Sequence, residues 1–353
     1  MRIVVGMSGG VDSSVAALLL KEKGYDVIGV TLKLSSPQSC SENIQVCCSP
    51  QDIKDAKKVA NFLGIEHYTL DWEKEFKGKV IDYFINELKT GKTPNPCSIC
   101  NREVKTGKLY KYAKAIFNAD YMATGHYIKT VDIDGYKLLK KATDTKKDQS
   151  YFMALVERDV INGLIFPLQD LTKDEVRKIA EKYGLPVAKK KESFEICFTA
   201  GRTPAEYIEE TNAFDIEEGD IIHITGKKLG KHKGLVHYTI GQRKGLGIRW
   251  HKPLYVIDKI PEKNILIVGE DKFLLQDTVK VSNFNFHLPI EKWNGSLKIQ
   301  GRYRQTPIDV EDFKRKGDKF IFKLKEPTAR FAPGQILAVY KDDILLGGGI
   351  IES

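Results

Sequence analysis

From Ile3 to Thr124, short apolar runs alternate with stretches in which apolar residues recur every three or four positions, the patterns of strands and amphipathic helices in turn. Residues 3–6 read as a first strand. A helix follows over 11–23, with Val15, Leu18 and Leu19 on one face and Gly24 closing it. Residues 26–32 read as a buried strand, 52–62 as a helix ending at Gly64, and 65–70 as a third strand. Phe76, Val80, Phe84 and Leu88 stripe another helix. After the loop Thr93-Pro94-Asn95-Pro96, helix resumes over 101–117, and 119–124 gives a strand ending at Gly125-His126. Such alternation predicts an α/β fold with a doubly wound, mainly parallel sheet covered on both faces.

Thr172 and Glu175 form a capping box that starts a helix reaching Gly184, ahead of Pro186. Beyond residue 201 the pattern changes to short strands separated by Gly, Pro and Asn turns, including 254–260 and 265–268 on either side of Pro261-Glu262-Lys263-Asn264. That regime predicts two small β-barrels. We place the domains at 1–200, 201–273 and 274–353, the first carrying a helical extension. A chain of 353 residues accommodates that many cores. The longest apolar runs, 15–20 and 344–346, fall far short of the roughly 20 residues that cross a bilayer. The N-terminus has no signal-peptide pattern, so a cytoplasmic protein without membrane contact is expected.

The formal net charge of +9 is concentrated. Between Thr225 and Lys252 stand Lys227, Lys228, Lys231, Lys233, Arg243, Lys244, Arg249 and Lys252, with no Asp or Glu among them. A solvated surface is the plain reading. Interleaved Tyr238, Trp250 and histidines favour RNA, because aromatic rings stack on bases while cations neutralise phosphates.

Glycines and hydroxyls crowd the turn between the first strand and the first helix, Gly6-Met7-Ser8-Gly9-Gly10-Val11-Asp12-Ser13. There the backbone can approach phosphate oxygens, and the helix N-terminus supplies amides and a favourable dipole. Asp12 fits an anion site if it helps hold Mg2+. No Gly-x-x-x-x-Gly-Lys-Ser/Thr string occurs, nor a dinucleotide fingerprint at this turn. Of the six cysteines, at 40, 47, 48, 97, 100 and 197, Cys97 and Cys100 have the spacing of a metal or redox pair. In a reducing compartment they read as ligands or reactive thiols. Cys40, Cys47 and Cys48 read as loop residues or zinc ligands, and His126 either as an ATP contact or as part of a turn.

Ser8-Gly9-Gly10-Val11-Asp12-Ser13 resembles the pyrophosphatase loop (PP-loop) of enzymes that split ATP between its α and β phosphates. Ala123-Thr124-Gly125-His126-Tyr127, Lys147-Asp148-Gln149-Ser150-Tyr151-Phe152, Phe194-Glu195-Ile196-Cys197-Phe198, Tyr238 to Gly247, Arg302-Tyr303-Arg304-Gln305 and Gly347 to Ile351 extend the likeness. Together these strings resemble the bacterial tRNA-specific 2-thiouridylases over essentially the whole chain. The resemblance implies an adenine nucleotide α-hydrolase-like domain and thiolation at C2 of the wobble uridine in tRNAs for Lys, Glu and Gln. ATP would adenylate the C2 oxygen, Cys197 would carry sulfur as a persulfide, and Cys100 would act as nucleophile, closing a disulfide with Cys197. It also implies that Gly6, Met7, Ser8, Gly9, Gly10, Val11, Asp12, Ser13, Leu32 and Gly125 line the ATP site. Asn95, Pro96 and Cys97 would meet the target base, and Lys147, Asp148, Gln149, Arg302 and Tyr303 would touch tRNA. A cysteine desulfurase or relay protein would supply the sulfur.

Many members of that family carry Asp where this chain has Cys97. Three thiolates at Cys97, Cys100 and Cys197 leave a [4Fe-4S] cluster with one open iron as an alternative sulfur carrier. Two rival functions share the loop: an adenylating enzyme acting on a small molecule, and a non-catalytic RNA-binding protein. The first has no use for the basic segment, and the second none for Asp12, Cys100 and Cys197.

Overall fold

Ile3, Val4 and Val5 are wholly shielded from solvent, as expected of a continuous apolar run with helices on both faces. The computed structural model describes residues 1–34, 50–191 and 196–352, so Cys40, Cys47, Cys48, Phe194 and Glu195 lie outside the described residues. The first strand, β1 (Arg2–Gly6), pairs in parallel with β2 (Asp26–Lys33), which in turn pairs with β3 (Glu66–Asp71). On its other side β1 pairs with β4 (Tyr121–Thr124). A hairpin of β5 (Lys129–Ile133) and β6 (Tyr136–Lys140) follows, and β7 (Leu164–Ile165) completes a parallel sheet of order β3-β2-β1-β4-β7. The order reverses at β1. Ligands of open α/β sheets bind at such a switch point, here the crevice beyond the C-terminal ends of β1 and β4.

Helices cover the sheet largely where the pattern predicts. The first runs Val11–Glu22 and the second Pro50–Leu63. Phe76, Val80, Phe84 and Leu88 are all buried, yet they do not lie on one regular helix. A π-turn, Lys77–Ile81, separates Glu73–Phe76 from Asp82–Lys89. At 3.6 residues per turn, a fixed spacing of four drifts by about 40° at each step. The wider turn absorbs that drift and keeps the stripe facing the core. The expected helix over 101–117 is also divided, into a π-turn Asn101–Lys105 and a helix Gly107–Phe117. The capping box at Thr172 is present, with a second at Thr203 and Glu206.

The middle of the chain forms a four-stranded sheet from β8 (Gly219–His223), β9 (Lys228–His232), β10 (Tyr255–Ile260) and β11 (Ile265–Gly269), in the order β10-β11-β8-β9. The last part supplies β12 (Leu275–Phe286), β13 (Leu297–Gln300), β14 (Ile308–Lys316), β15 (Lys319–Ala329), β16 (Ile336–Lys341) and β17 (Ile344–Ile351). These close into an antiparallel barrel because β12 pairs with both β15 and β17. The hairpin from the first domain joins it: Leu139 pairs with Leu345 and Lys140 with Ile344, and Leu138 packs in the barrel core.

More bonds fasten the barrel to the first domain. The Thr93 amide donates to the Pro333 carbonyl at 2.8 Å, and Gln335 Nε2 donates to the Thr93 carbonyl at 2.8 Å. The Tyr151 hydroxyl donates to the Ile336 carbonyl at 2.9 Å, and Asn285 Nδ2 to the carbonyls of Ala154 and Val156 at 3.0 and 2.8 Å. Among the described residues no helix is long and apolar enough to cross a membrane.

Candidate active site

The turn from β1 into the first helix is held open by its own serines. The Ser8 amide donates to Ser13 Oγ at 3.1 Å, and the Ser14 hydroxyl donates to the Gly10 carbonyl at 2.8 Å. Met7 is buried beneath the loop, its amide bound to the Val30 carbonyl and its own carbonyl to the Thr31 hydroxyl, both at 2.8 Å. Gly10 is the helix N-cap and supplies no side-chain cap, so the first-turn amides are left for an anion. Gly9 has a φ of +71°, and a Cβ there would stand 2.2 Å from the Asp52 carbonyl oxygen. Gly125, just past β4, packs its Cα against the helix start: a Cβ would lie 2.6 Å from the Ser13 nitrogen. These glycines let the turn pack directly against the Pro50–Leu63 helix and let the chain after β4 pack against the start of the first helix. The predicted residues Gly6 to Ser13 and Gly125 thus stand together, and Leu32 is buried on the adjoining β2.

Asp12 is closely held. Lys173 Nζ donates to its two carboxylate oxygens at 2.6 and 2.8 Å, and the Tyr127 hydroxyl donates to Oδ1 at 2.7 Å. An Mg2+ ion at Asp12 would therefore share the carboxylate with an ammonium group. A second cation stands close by, where Lys190 Nζ donates to the Gly9 carbonyl at 3.1 Å and to Asp52 Oδ1 and Asp55 Oδ2 at 2.6 Å each. Burial works against the Lys190 charge, but the two carboxylates outweigh it and raise its pKa. Sequence reasoning missed Tyr127, Lys173 and Lys190 as parts of this site. Tyr127 lay within a string carrying the family likeness and Lys173 within the capping box, but neither spacing tells that their side chains converge on Asp12.

His126, next in line after Gly125, is half-buried, with Nδ1 2.9 Å from the Thr124 hydroxyl. Burial, with Lys105 as a smaller influence, pushes its pKa down to about 4, so the ring is neutral at physiological pH.

The cysteine pair sits on a short helix, Pro96–Cys100, that the pattern did not predict. Asn95 caps it, its Oδ1 accepting from the Ser98 amide at 3.1 Å, and Pro96 takes the first position, where its missing N–H costs nothing. Cys97 is half-buried and Cys100 buried, at the junction with the π-turn Asn101–Lys105. Asn101 Nδ2 donates to the Phe152 carbonyl at 3.3 Å, tying the pair to the segment of the 147–152 string. Cys197, half-buried, borders the same apolar cluster that encloses Cys100. Its neighbour Phe198 fixes the chain there by packing edge-on against Phe76, Phe84 and Tyr207, with ring centroids 5.2–5.9 Å apart.

The strings expected to meet tRNA are also neighbours. Tyr303 packs its ring against Phe152 at 4.6 Å, and Arg304 donates to the Lys146 carbonyl at 3.4 Å. Arg302 is exposed beside Tyr303, and its guanidinium lies 3.8 Å from where a side chain at Gly241 would begin. Residues from all three parts of the chain meet at this place. Asp148 accepts from the Ala142 amide and the Ser150 hydroxyl, and burial raises its pKa against those bonds, so its carboxylate organises the loop. Gln149 does likewise through Tyr127, and Lys147 is half-buried. In the middle sheet, Trp250 stacks on His223 at 5.0 Å with Lys227 over its ring at 5.3 Å. Depressions of about 270 and 510 Å³ flank it, lined by residues that include Arg243, Lys252, Lys228 and Arg249.

Among the described residues no group of three or more His, Cys, Asp or Glu side chains is gathered to hold a metal.

Comparison with known proteins agrees with this architecture. The family model of the tRNA methyl transferase HUP domain matches residues 1–201, that of the tRNA methyl transferase PRC-barrel domain residues 206–270, and that of the aminomethyltransferase beta-barrel domain residues 276–351. The chain is 64% identical to the tRNA-specific 2-thiouridylase MnmA of Persephonella marina over 353 residues, which span 99% of this chain and 100% of that protein. It is 51% identical to the protein of that name from Aquifex aeolicus over 355 residues, 100% of this chain and 99% of the relative. Matched from end to end by such relatives and by models for each of its parts, the chain belongs to the tRNA-specific 2-thiouridylase family.

Proposed function

We propose that this tRNA sulfurtransferase thiolates C2 of the wobble uridine in tRNAs for Lys, Glu and Gln. The observation that carries the reading is the meeting of Lys146 to Phe152 with Arg302 to Arg304 beside the cysteine helix, in a segment that Tyr127 links to Asp12 of the glycine-rich turn after β1. In this scheme Asn95, Pro96 and Cys97 meet the base, while Lys147, Asp148, Gln149, Arg302 and Tyr303 border the RNA. ATP, bound at Gly6 to Ser13, Leu32 and Gly125 with Mg2+ near Asp12, adenylates the C2 oxygen and releases pyrophosphate. A desulfurase or relay protein loads Cys197 with sulfane sulfur. The terminal sulfur attacks C2 and AMP leaves. The Cys100 thiolate then attacks Cys197 Sγ, so that the S–S electron pair departs with the sulfur on C2 and a Cys100–Cys197 disulfide forms. An external thiol reopens that disulfide for the next turnover.

Pyrophosphate release with and without tRNA tests the reading. Release that needs tRNA and accompanies 2-thiouridine supports it. Equal release without tRNA favours a small-molecule adenylating enzyme, and none under either condition a non-catalytic binder.

The middle sheet is assigned to the RNA backbone. In the variant combining Lys227→Ala with Lys231→Ala, the slope of log affinity against log salt is expected to flatten by roughly 1–2, because each lysine removed releases about one counterion fewer. Filter binding from low to moderate salt measures it, and an unchanged slope returns the segment to solvated surface.

A further inference from the structure

Two routes lead from one loop to the Asp12 carboxylate. In the first, Gln149 Oε1 accepts from the Tyr127 amide at 3.0 Å and the Gln149 amide donates to the Tyr127 carbonyl at 3.1 Å, while at the far end of the same buried side chain the hydroxyl holds Asp12. In the second, Asp144 Oδ2 accepts from the Lys173 amide at 3.0 Å, and the Lys173 ammonium grips both Asp12 oxygens. Asp144 and Gln149 bound a single loop, closed on itself by the Lys147 amide donating to the Asp144 carbonyl at 3.0 Å and the Lys146 amide to Asp144 Oδ1 at 3.1 Å. Tyr127 and Lys173 are 3% and 7% exposed, so neither side chain has room to adjust alone. A shift of the loop is passed to Asp12 through packed groups with little slack.

The setting of Asp12 bears on ATP because it stands in the first turn of a helix with no side-chain cap, the end assigned above to the phosphates. A carboxylate there repels an anion unless a cation stays against it or a metal ion intervenes.

We infer that Tyr127 and Lys173 are positioning residues that couple docking of RNA on the Asp144–Gln149 loop to the setting of Asp12, and so to ATP affinity. The inference rests on reading Lys147 to Gln149 as an RNA contact. Coupling between two binding sites is reciprocal, and commonly amounts to roughly 5- to 150-fold. Calorimetry on the full-length protein, with a magnesium complex of an ATP analogue carrying a methylene bridge between the α and β phosphorus atoms, gives dissociation constants with and without saturating unmodified tRNA for Glu.

In the wild type, tRNA is expected to tighten the analogue within that range. Tyr127→Phe, which keeps the ring and removes only the hydroxyl, is expected to bring the ratio to within about twofold of one while tRNA still binds, and Lys173→Met to do the same. A merely structural role would weaken both constants and leave their ratio unchanged. Wild-type coupling retained in one variant removes that residue from the device; retained in both, or missing from a wild type that binds tRNA, it overturns the inference. A wild type that binds no tRNA would bring down the substrate reading and the coupling together.

Discussion

Cys197→Ser is expected to stop 2-thiouridine formation, with a loss of at least ~10³-fold, as befits removal of a group that carries the transferred atom. A serine oxygen cannot hold sulfane sulfur. Cys100→Ser is expected to be equally inactive but at a later step: Cys197 would still be loaded and its terminal sulfur would still displace AMP, so Cys197 would stay joined to the tRNA through the uncleaved S–S bond. Mass spectrometry of digested tRNA reads the product, and denaturing electrophoresis without added thiol reads the trapped protein–tRNA adduct, which a thiol should release. Both variants should bind ATP, because the cysteines lie in the apolar cluster centred on Phe76, Phe84 and Phe198 and not in the phosphate loop. Thiolation persisting in either variant would refute its assigned role.

Gly9→Ala is the second large effect. Its backbone would have to hold a φ of +71° with a side chain, at roughly 1–2 kcal/mol for a left-handed residue. The new Cβ would also overlap the Asp52 carbonyl, a main-chain atom that cannot rotate aside. Either the loop or the start of the Pro50–Leu63 helix must move, and Lys190, which binds both, moves with them. A combined loss of about 2 kcal/mol corresponds to roughly thirtyfold in ATP affinity. Gly10→Ala is the internal comparison, since a Cβ there meets only the Ser8 hydroxyl, at 3.5 Å. Calorimetric titration with ATP should rank Gly9→Ala well below Gly10→Ala, and equal affinities would show that the loop does not need its left-handed turn.

The glycine-rich turn between β1 and the first helix was legible in the sequence because its signal is local: glycines, hydroxyls and a helix start lie within eight consecutive residues. The parallel sheet was legible for a similar reason, since strands buried on both faces read as unbroken apolar runs. The short helix under Cys97 and Cys100 was half visible. Asn95 followed by Pro96 is a cap followed by a first-turn proline, but two prolines close together read more readily as loop. The π-turns were not visible, because apolar spacing reports which residues face the core and not how the backbone brings them there. Least visible were Lys173 and Lys190, whose partners lie more than 130 positions away in sequence. Nothing in a lysine's immediate neighbourhood reveals that it will be buried against a carboxylate from another element.

The pairing of Leu139 and Lys140 with Leu345 and Ile344 has a temporal consequence. As the polypeptide leaves the ribosome N-terminus first, the strand around residue 140 emerges some two hundred residues ahead of the one that completes it. Throughout that interval one edge of the hairpin offers unpaired amides and carbonyls to any extended peptide nearby. Truncation ahead of β16 would make the interval permanent, so chains cut there should self-associate even though the whole parallel sheet has been made.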